Sequence, residues 1–344
     1  MLSILRRYRF IAGRSGHAIV VLTGVSILVF VLARAIPGDP ARLALGPSAS
    51  SEQVAQLRLD MGLDEPLLIQ YYNFVTNALR LDFGVSIFTN RAVSSDLAAT
   101  LPATVELVLV AGLIMIIGGL WLGAVSARYR DRWPDNLSRM AALCSVAMPN
   151  FVWAILLMLV FSYWLDLLPA IGQLSTGVPK PPPITGLLIV DAMLRGQWSV
   201  AGDALSHIIL PAFALSLPGL AQTIRLTRTN MINTYSRPFI EFARAYGFSE
   251  RQIAYRWAMR PSLVPTLTLV GMNIAVLLGN AFLVETVFGW PGMAKYGVEA
   301  VLRKDLNAVA AVVLVICLAF ILINALVDAV IIYVNPKLRA RRSK

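Results

Sequence analysis

The sequence predicts an all-α, polytopic membrane protein with six transmembrane helices and both termini cytoplasmic. Three observations carry this reading. Of the 344 residues, 57% are hydrophobic and only 14% charged, with a mean hydropathy of +0.69; soluble domains hold about 45–50% apolar and about 25% charged residues. Six apolar runs free of Lys, Arg, Asp and Glu meet or approach the roughly 20 residues that a helix needs to cross the hydrocarbon: residues 15–33, 107–127, 140–165, 204–224, 261–284 and 306–327. The segments between these runs also alternate in charge. Twenty of the 30 Lys and Arg lie before the first run, after the second, after the fourth and in the tail 335–344, where only Asp131, Asp135, Glu241 and Glu250 oppose them. Alternate basic loops follow the positive-inside rule and place both termini in the cytoplasm. The net charge of +11 is then a mark of topology, with no nucleic-acid partner needed.

Taken in order, residues 1–14 form a basic cytoplasmic N-terminus with Arg6, Arg7, Arg9 and Arg14, and residues 15–36 the first span. Arg34-Ala35-Ile36-Pro37 follows that run in place of a small-residue cleavage site, so it reads as a retained span and not a signal peptide. Residues 37–104 form an extracytoplasmic helical subdomain with four Arg against seven acids. Within it, Ser51-Glu52 suits a helix start and Gly62 its end. Pro66 opens a second helix whose apolar positions Leu67, Leu68, Tyr71, Phe74, Val75 and Leu79 repeat near 3.6. Residues 105–334 hold the five remaining spans. The fourth run is the weakest, interrupted by Pro211 and Pro218, though neighbouring helices can satisfy the carbonyls that a proline frees. Residues 166–203, with Pro181-Pro182-Pro183, read as an outer loop, and the short apolar stretch 184–190 stays outside the membrane. Gly112, Gly118, Gly119 and Gly123 mark the second span for close helix packing. Residues 335–344 form a basic cytoplasmic tail.

The inner loop 225–260 is too long for a simple turn. It holds an amphipathic helical stretch around 239–247, a break at Gly247 and Ser249, and a second helical stretch through 251–257. A helix–turn–helix on the cytoplasmic face suits docking to a soluble partner; a basic amphipathic helix lying on anionic lipid is the other physical reading.

Enzyme chemistry finds little support. No Gly-Lys pair occurs, so there is no P-loop, and GxGxxG, HExxH and GxSxG are absent as well. His17 and His207 lie far apart, and Cys144 and Cys317 sit singly in apolar stretches; no metal or cofactor site is expected. Ionisable groups bordering the membrane core are costly: Arg34, Glu106, Glu285 and Asp328. Asn280 and Glu285 interrupt one long apolar stretch, so Glu106, Asn280, Glu285 and Asp328 are candidates for a substrate pathway or for polar bonds between packed helices.

Several motifs, in order along the chain, resemble the inner-membrane permease subunits of bacterial binding-protein-dependent ABC importers, in the dipeptide/oligopeptide/nickel branch. Pro37-Gly38-Asp39-Pro40 follows the first span, then Met61-Gly62-Leu63-Asp64-Glu65-Pro66, Gln70-Tyr71-Tyr72 and Leu101-Pro102-Ala103-Thr104-Val105-Glu106-Leu107. Glu241-Phe242-Ala243-Arg244-Ala245-Tyr246-Gly247, with Arg260 and Pro265 beyond it, looks like the EAA loop of such permeases, with Tyr246 in place of the usual Lys and Trp257-Ala258-Met259-Arg260 where HALR is expected. Glu285-Thr286-Val287-Phe288 with Pro291-Gly292-Met293, Val327-Asp328 and Asn335-Pro336-Lys337 complete the pattern, Asn335 standing where the family has Asp.

The resemblance implies a type I permease fold in the bacterial inner membrane and a transport subunit with no ATPase site of its own. Its partners would be two ABC ATPase subunits, a second homologous permease and an extracytoplasmic solute-binding protein. It makes Glu241, Ala243, Arg244, Ala245, Gly247 and Arg260 the ATPase-coupling residues. Peptides or similar small solutes are the implied cargo, with nickel, opines or glutathione as alternatives; two histidines are few for nickel, which favours imidazole ligands. A stand-alone secondary carrier fits less well, since chains of intramembrane acids are missing.

Overall fold

The computed structural model describes residues 2–35, 40–45, 49–60 and 62–334. The chain is 78% helical, and among the described residues it has no strand, only an isolated bridge between Val85 and Ala92. Its helices are α1 (Leu2–Ala35), α2 (Pro40–Leu45), α3 (Ser51–Asp60), α4 (Leu67–Leu79), α5 (Val93–Arg128), α6 (Trp133–Ala147), α7 (Asn150–Leu157), α8 (Leu188–Leu194), α9 (Trp198–Tyr235), α10 (Pro238–Ala245), α11 (Glu250–Gln252), α12 (Met259–Val287), α13 (Met293–Leu302) and α14 (Leu306–Val334). Wider π-helical turns extend α7 through Met158–Trp164 and join α11 to α12 through Ile253–Ala258. Residues 37–39 of the Pro-Gly-Asp-Pro segment and the basic tail 335–344 lie outside the described residues.

Among the described residues four helices are long and apolar enough to cross a membrane, or five when one bent pair counts as a span. They are Val93–Arg128, Trp198–Tyr235, Pro265–Val287 and Leu306–Val327, and α1 carries a shorter apolar stretch, Ala18–Leu32. The run 140–165 departs from a straight span: α6 and the α7 segment meet at 109°. Pro149 is the cause. Met148 before it is forced into extended backbone (φ −123°, ψ 146°), as the residue preceding a proline usually is. Pro211 and Pro218, by contrast, sit inside an unbroken α9 of 38 residues. The segment 166–203 is not all loop, since it holds α8 and the first turns of α9.

The chain forms two compact units, Met1–Leu101 with Tyr296–Ile321, and Pro102–Lys295 with Leu322–Lys344. In the first, α4 packs on α1 through polar and aromatic contacts. Tyr71 and Ser26 share a hydrogen bond at 2.8 Å, Arg34 donates twice to Gln70 Oε1 at 2.9 and 2.7 Å, and the Phe30 ring meets Tyr71 edge-on. Arg34 at the edge of the first apolar run is thus answered by a glutamine. In the same unit the buried Asp305 caps α14, accepting from the Ala308 N–H and from Ser86 Oγ and the Ile87 N–H, both at 2.7 Å.

The second unit is built around α9, which packs against α6, α7, α8 and α12. Its most apolar stretch is 72% buried, against 39% for α5 and α12, which makes it the central helix. The glycines of α5 serve close packing. A Cβ at Gly119 would stand 2.5 Å from Thr223 Cγ2, and one at Gly123 2.6 Å from Thr227 Cβ, so only glycine lets α5 and α9 approach this closely.

Candidate functional site

The first residues of the inner loop 225–260 continue α9 as far as Tyr235, and the extended backbone of Arg237 then leads into α10 with Pro238 in its first turn. A proline there loses nothing, because that N–H has no helical partner. α10 is amphipathic. Ile240 and Ala243 are buried against Ala127 of α5, Met231 of α9, and Ile253, Ala254 and Ala258 of the following π-helical turn. On the other side Phe242 is 66% exposed and Tyr246 82%, large aromatic surface left uncovered among the described residues.

The helix ends in a Schellman turn. Gly247 adopts φ +80°, its N–H bonds to the Arg244 carbonyl at 2.9 Å, and the Phe248 N–H reaches the Ala243 carbonyl at 3.2 Å. The left-handed position is one that glycine takes without a Cβ penalty. Nothing lies within 4 Å of where a Gly247 Cβ would be, so the turn faces open space. Ser249 then starts the next helical stretch with a capping box, exchanging hydrogen bonds with Gln252. Phe248 packs on Trp257 with ring centroids 5.4 Å apart. Across the turn Arg244 Nε donates to Glu250 Oε1 at 2.9 Å, and that bond raises the Arg244 pKa above its ordinary value. Glu241, Ala245 and Arg260 are exposed, and among the described residues no hydrogen bond or ion pair ties Arg260 to Glu241 or Arg244. The Ser-x-x-Gln box and Glu250 as partner of Arg244 were readable in the sequence, although neither is among the residues that the resemblance singles out.

The four membrane-bordering candidates do not converge. Glu285 is completely buried in α12. Its Oε1 accepts from Thr104 Oγ1 of α5 at 2.6 Å and its Oε2 from the Lys295 N–H at 2.9 Å. Thr104 in turn accepts from the Met293 N–H at 2.8 Å, and Trp290 Nε1 donates to the Ala103 carbonyl at 2.9 Å. Gly292 passes so close that a Cβ there would collide with the Glu285 carboxylate. The carboxylate therefore ties the Trp290–Lys295 turn to α5. Glu106, two residues on from Thr104, serves a different neighbour: its Oε1 takes the Ile189 N–H at 2.7 Å, one of the free donors at the start of α8. Asn280 is exposed on α12. Asp328 lies in α14, with its side chain outside the described residues.

One buried ion pair was not singled out by the sequence reading. Arg228 of α9 grips Asp135 of α6 with Nε to Oδ1 at 2.6 Å and Nη2 to Oδ2 at 2.7 Å. Ser126 Oγ and the Asp131 N–H also donate to the carboxylate, so four donors satisfy an acid with no exposed surface. Among the described residues no group of three His, Cys, Asp or Glu forms a metal-binding cluster. His207 instead turns its Nδ1 to the Asp203 carbonyl, 2.8 Å away.

Residues 116–340 match the family described as binding-protein-dependent transport system inner membrane component, and residues 7–108 match the N-terminal component of the same kind of system. The chain belongs to this permease family. The permease is 36% identical over 336 residues, 98% of its length and 97% of the relative, to the "Probable D,D-dipeptide transport system permease protein" of Escherichia coli strain K12. It is 35% identical to the dipeptide transport system permease of Alkalihalophilus pseudofirmus, covering 93% of this chain and 96% of that one. It is 33% identical to the glutathione transport system permease of Escherichia coli strain K12, covering 92% and 94%. The motif-based resemblance is thus shown, and the permease is a multi-pass membrane transport subunit.

Proposed function

We propose that the chain is one of two homologous permease subunits of an ATP-driven importer for peptides or similar small solutes. An extracytoplasmic binding protein delivers the solute and two ABC ATPase subunits drive the cycle. The observation that carries the proposal is the two-sided build of α10. Ile240 and Ala243 anchor it to the ends of α5 and α9, while Phe242, Tyr246 and the Gly247 turn face outward. A helix fixed on one side and aromatic on the other can receive a push from a docked ATPase and pass it to the membrane helices. Glu241, Ala243, Arg244, Ala245, Gly247 and Arg260 make up this coupling segment. ATP is hydrolysed on the partners, and this chain converts their closure into a change of access.

In this reading α1, α5, the bent pair α6–α7, α9, α12 and α14 make six crossings. Both termini and the loop 225–260 are cytoplasmic, and residues 37–104 are extracytoplasmic. The distribution of Lys and Arg supports that orientation. Thr104–Glu285 and Glu106–Ile189 act as polar bonds between packed elements, leaving Asn280 as the polar group open to a pathway. The peptide assignment follows the relatives named for dipeptide and glutathione transport systems. Glutathione itself, opines or nickel are the alternatives within the family.

The test is purification of the tagged chain in mild detergent, with identification of what accompanies it, followed by uptake into proteoliposomes. Recovery of two P-loop ATPases, a second permease and a binding protein, with uptake that needs ATP, is the expected result. A chain recovered alone that transports without ATP would overturn it in favour of a secondary carrier.

A further inference from the structure

Between α6 and α9 lies a cavity of about 490 Å³ lined by Arg139, Leu143, Val146, Ile224, Arg225 and Arg228, a site that neither the coupling loop nor the Glu285 contacts explain. Its polar and apolar walls are segregated along the chain. Arg139 is the last charge before the apolar run 140–165, and Arg225 the first charge after the run 204–224. Both arginines therefore stand at the depth where hydrocarbon gives way to headgroups. Leu143, 72% exposed, and Val146, 59% exposed, continue the same wall one and two turns into the apolar run.

Of the three arginines at this mouth, one has an acidic partner among the described residues. Arg228 is neutralised by Asp135, which engages its Nε and Nη2. Arg139 and Arg225 are exposed and form no ion pair among the described residues. Two free guanidiniums above an apolar wall match an amphiphile with an anionic phosphate at one end and acyl chains at the other. Guanidinium is the cation best suited to grip phosphate oxygens in pairs, and basic pockets between membrane helices are sites for acidic lipid headgroups.

We propose that this cavity binds an anionic phospholipid, with its phosphate held by Arg139 and Arg225 and its acyl chains lying along Leu143 and Val146. The Asp135–Arg228 pair forms the floor of the site by fixing α6 against α9. The lipid then acts as a wedge that sets the spacing of these two helices beyond their ion pair.

The probe is phosphatidylglycerol, compared with phosphatidylcholine of the same acyl chains, added to the full chain purified with its accompanying subunits and read by native mass spectrometry. Selective retention of phosphatidylglycerol is expected. Arg139→Gln combined with Arg225→Gln should weaken that retention by roughly thirtyfold, about fivefold for each headgroup-level charge removed. If the double variant fails to fold, the two single variants carry the same test at about fivefold each. Equal retention of the two lipids, or unchanged retention in folded variants, would overturn the proposal. So would a Leu143→Cys variant whose disulfide cross-links capture a neighbouring polypeptide at this wall, which would make the occupant a protein subunit.

Discussion

Arg228 and Asp135 form a two-pronged ion pair, at 2.6 and 2.7 Å, between helices whose paired residues lie 93 positions apart in sequence. Asp135 is wholly buried and the Arg228 side chain 20% exposed. Removing one partner leaves the other charge with little water to receive it, a loss of about 3–5 kcal/mol for a buried pair. Asp135→Ala is therefore expected to lower the melting temperature in detergent sharply. Asp135→Leu combined with Arg228→Met, which removes both charges, should recover much of the loss. If the double variant melts as low as Asp135→Ala, the pair is not what fastens α6 to α9.

The Glu285 carboxylate answers two donors, Thr104 Oγ1 and the Lys295 N–H. Glu285→Ala strands both and opens a cavity beside Gly292, at a cost of about 2–4 kcal/mol. Glu285→Gln keeps the volume but turns an amide donor toward one of the same donors, so a smaller loss follows. Uptake by the Gln variant should keep the wild-type KM while its melting temperature falls. A changed KM with unchanged melting would put Glu285 on the solute path instead.

At Gly247 the two demands on the residue separate cleanly. The positive φ costs an ordinary side chain about 1–2 kcal/mol, whereas asparagine tolerates it. Gly247→Asn is expected to transport normally. Gly247→Trp carries only that backbone strain, since nothing lies within 4 Å of its Cβ; it should reach the membrane at near-normal levels, yet it projects a large ring from the proposed docking face and should abolish uptake. Normal uptake by this variant would show that the turn does not dock.

Asp191 in α8 supplies a pH dependence outside the spans. Burial pushes its pKa up, but Thr185 Oγ1 and the N–H groups of Thr185, Ile184 and Gly186 together hold it below the ordinary carboxylate value. A depressed pKa stabilises the fold above the unfolded value, about 3.9, and that contribution is lost as the pH falls through the lower folded value. Protease cleavage around residues 184–195 should therefore stay constant through neutral and mildly acid pH and rise only below about pH 4. Asp191→Asn should remove this acid-dependent rise, and its persistence in that variant would assign the effect to another group.

What could be read from the sequence was whatever local pattern encodes. The Schellman glycine at 247, the Ser249 start and the helix opened by Pro66 each depend on residues a few positions apart, and each stands in the structure where the spacing put it. The extent of α5 was less visible. Hydropathy marks only 107–127, but the helix begins at Val93, since Ser94, Ser95 and Asp96 suit a first turn and mask the helix from an apolar count. Prolines misled in both directions. Pro211 and Pro218 look disruptive yet lie within α9, buried among α5, α6, α7, α8 and α12, a setting in which membrane helices tolerate proline, and Pro149 produces the actual bend. Asp135–Arg228 and Glu106–Ile189 lay beyond any local pattern, because tertiary packing alone sets which distant donors meet which acids.

The contacts of Gly119 with Thr223 and Gly123 with Thr227 also limit how the molecule can deform. Each threonine occupies a notch that exists only opposite a glycine, so sliding α9 along α5 by a single turn would drive a branched side chain into a neighbour with no room for it. The two helices are geared together, and they rock as one strut. Flexure during a working cycle is then displaced to the joints at either side of that strut, and the elbow at Met148-Pro149, where extended backbone interrupts the helix between α6 and α7, is one such joint.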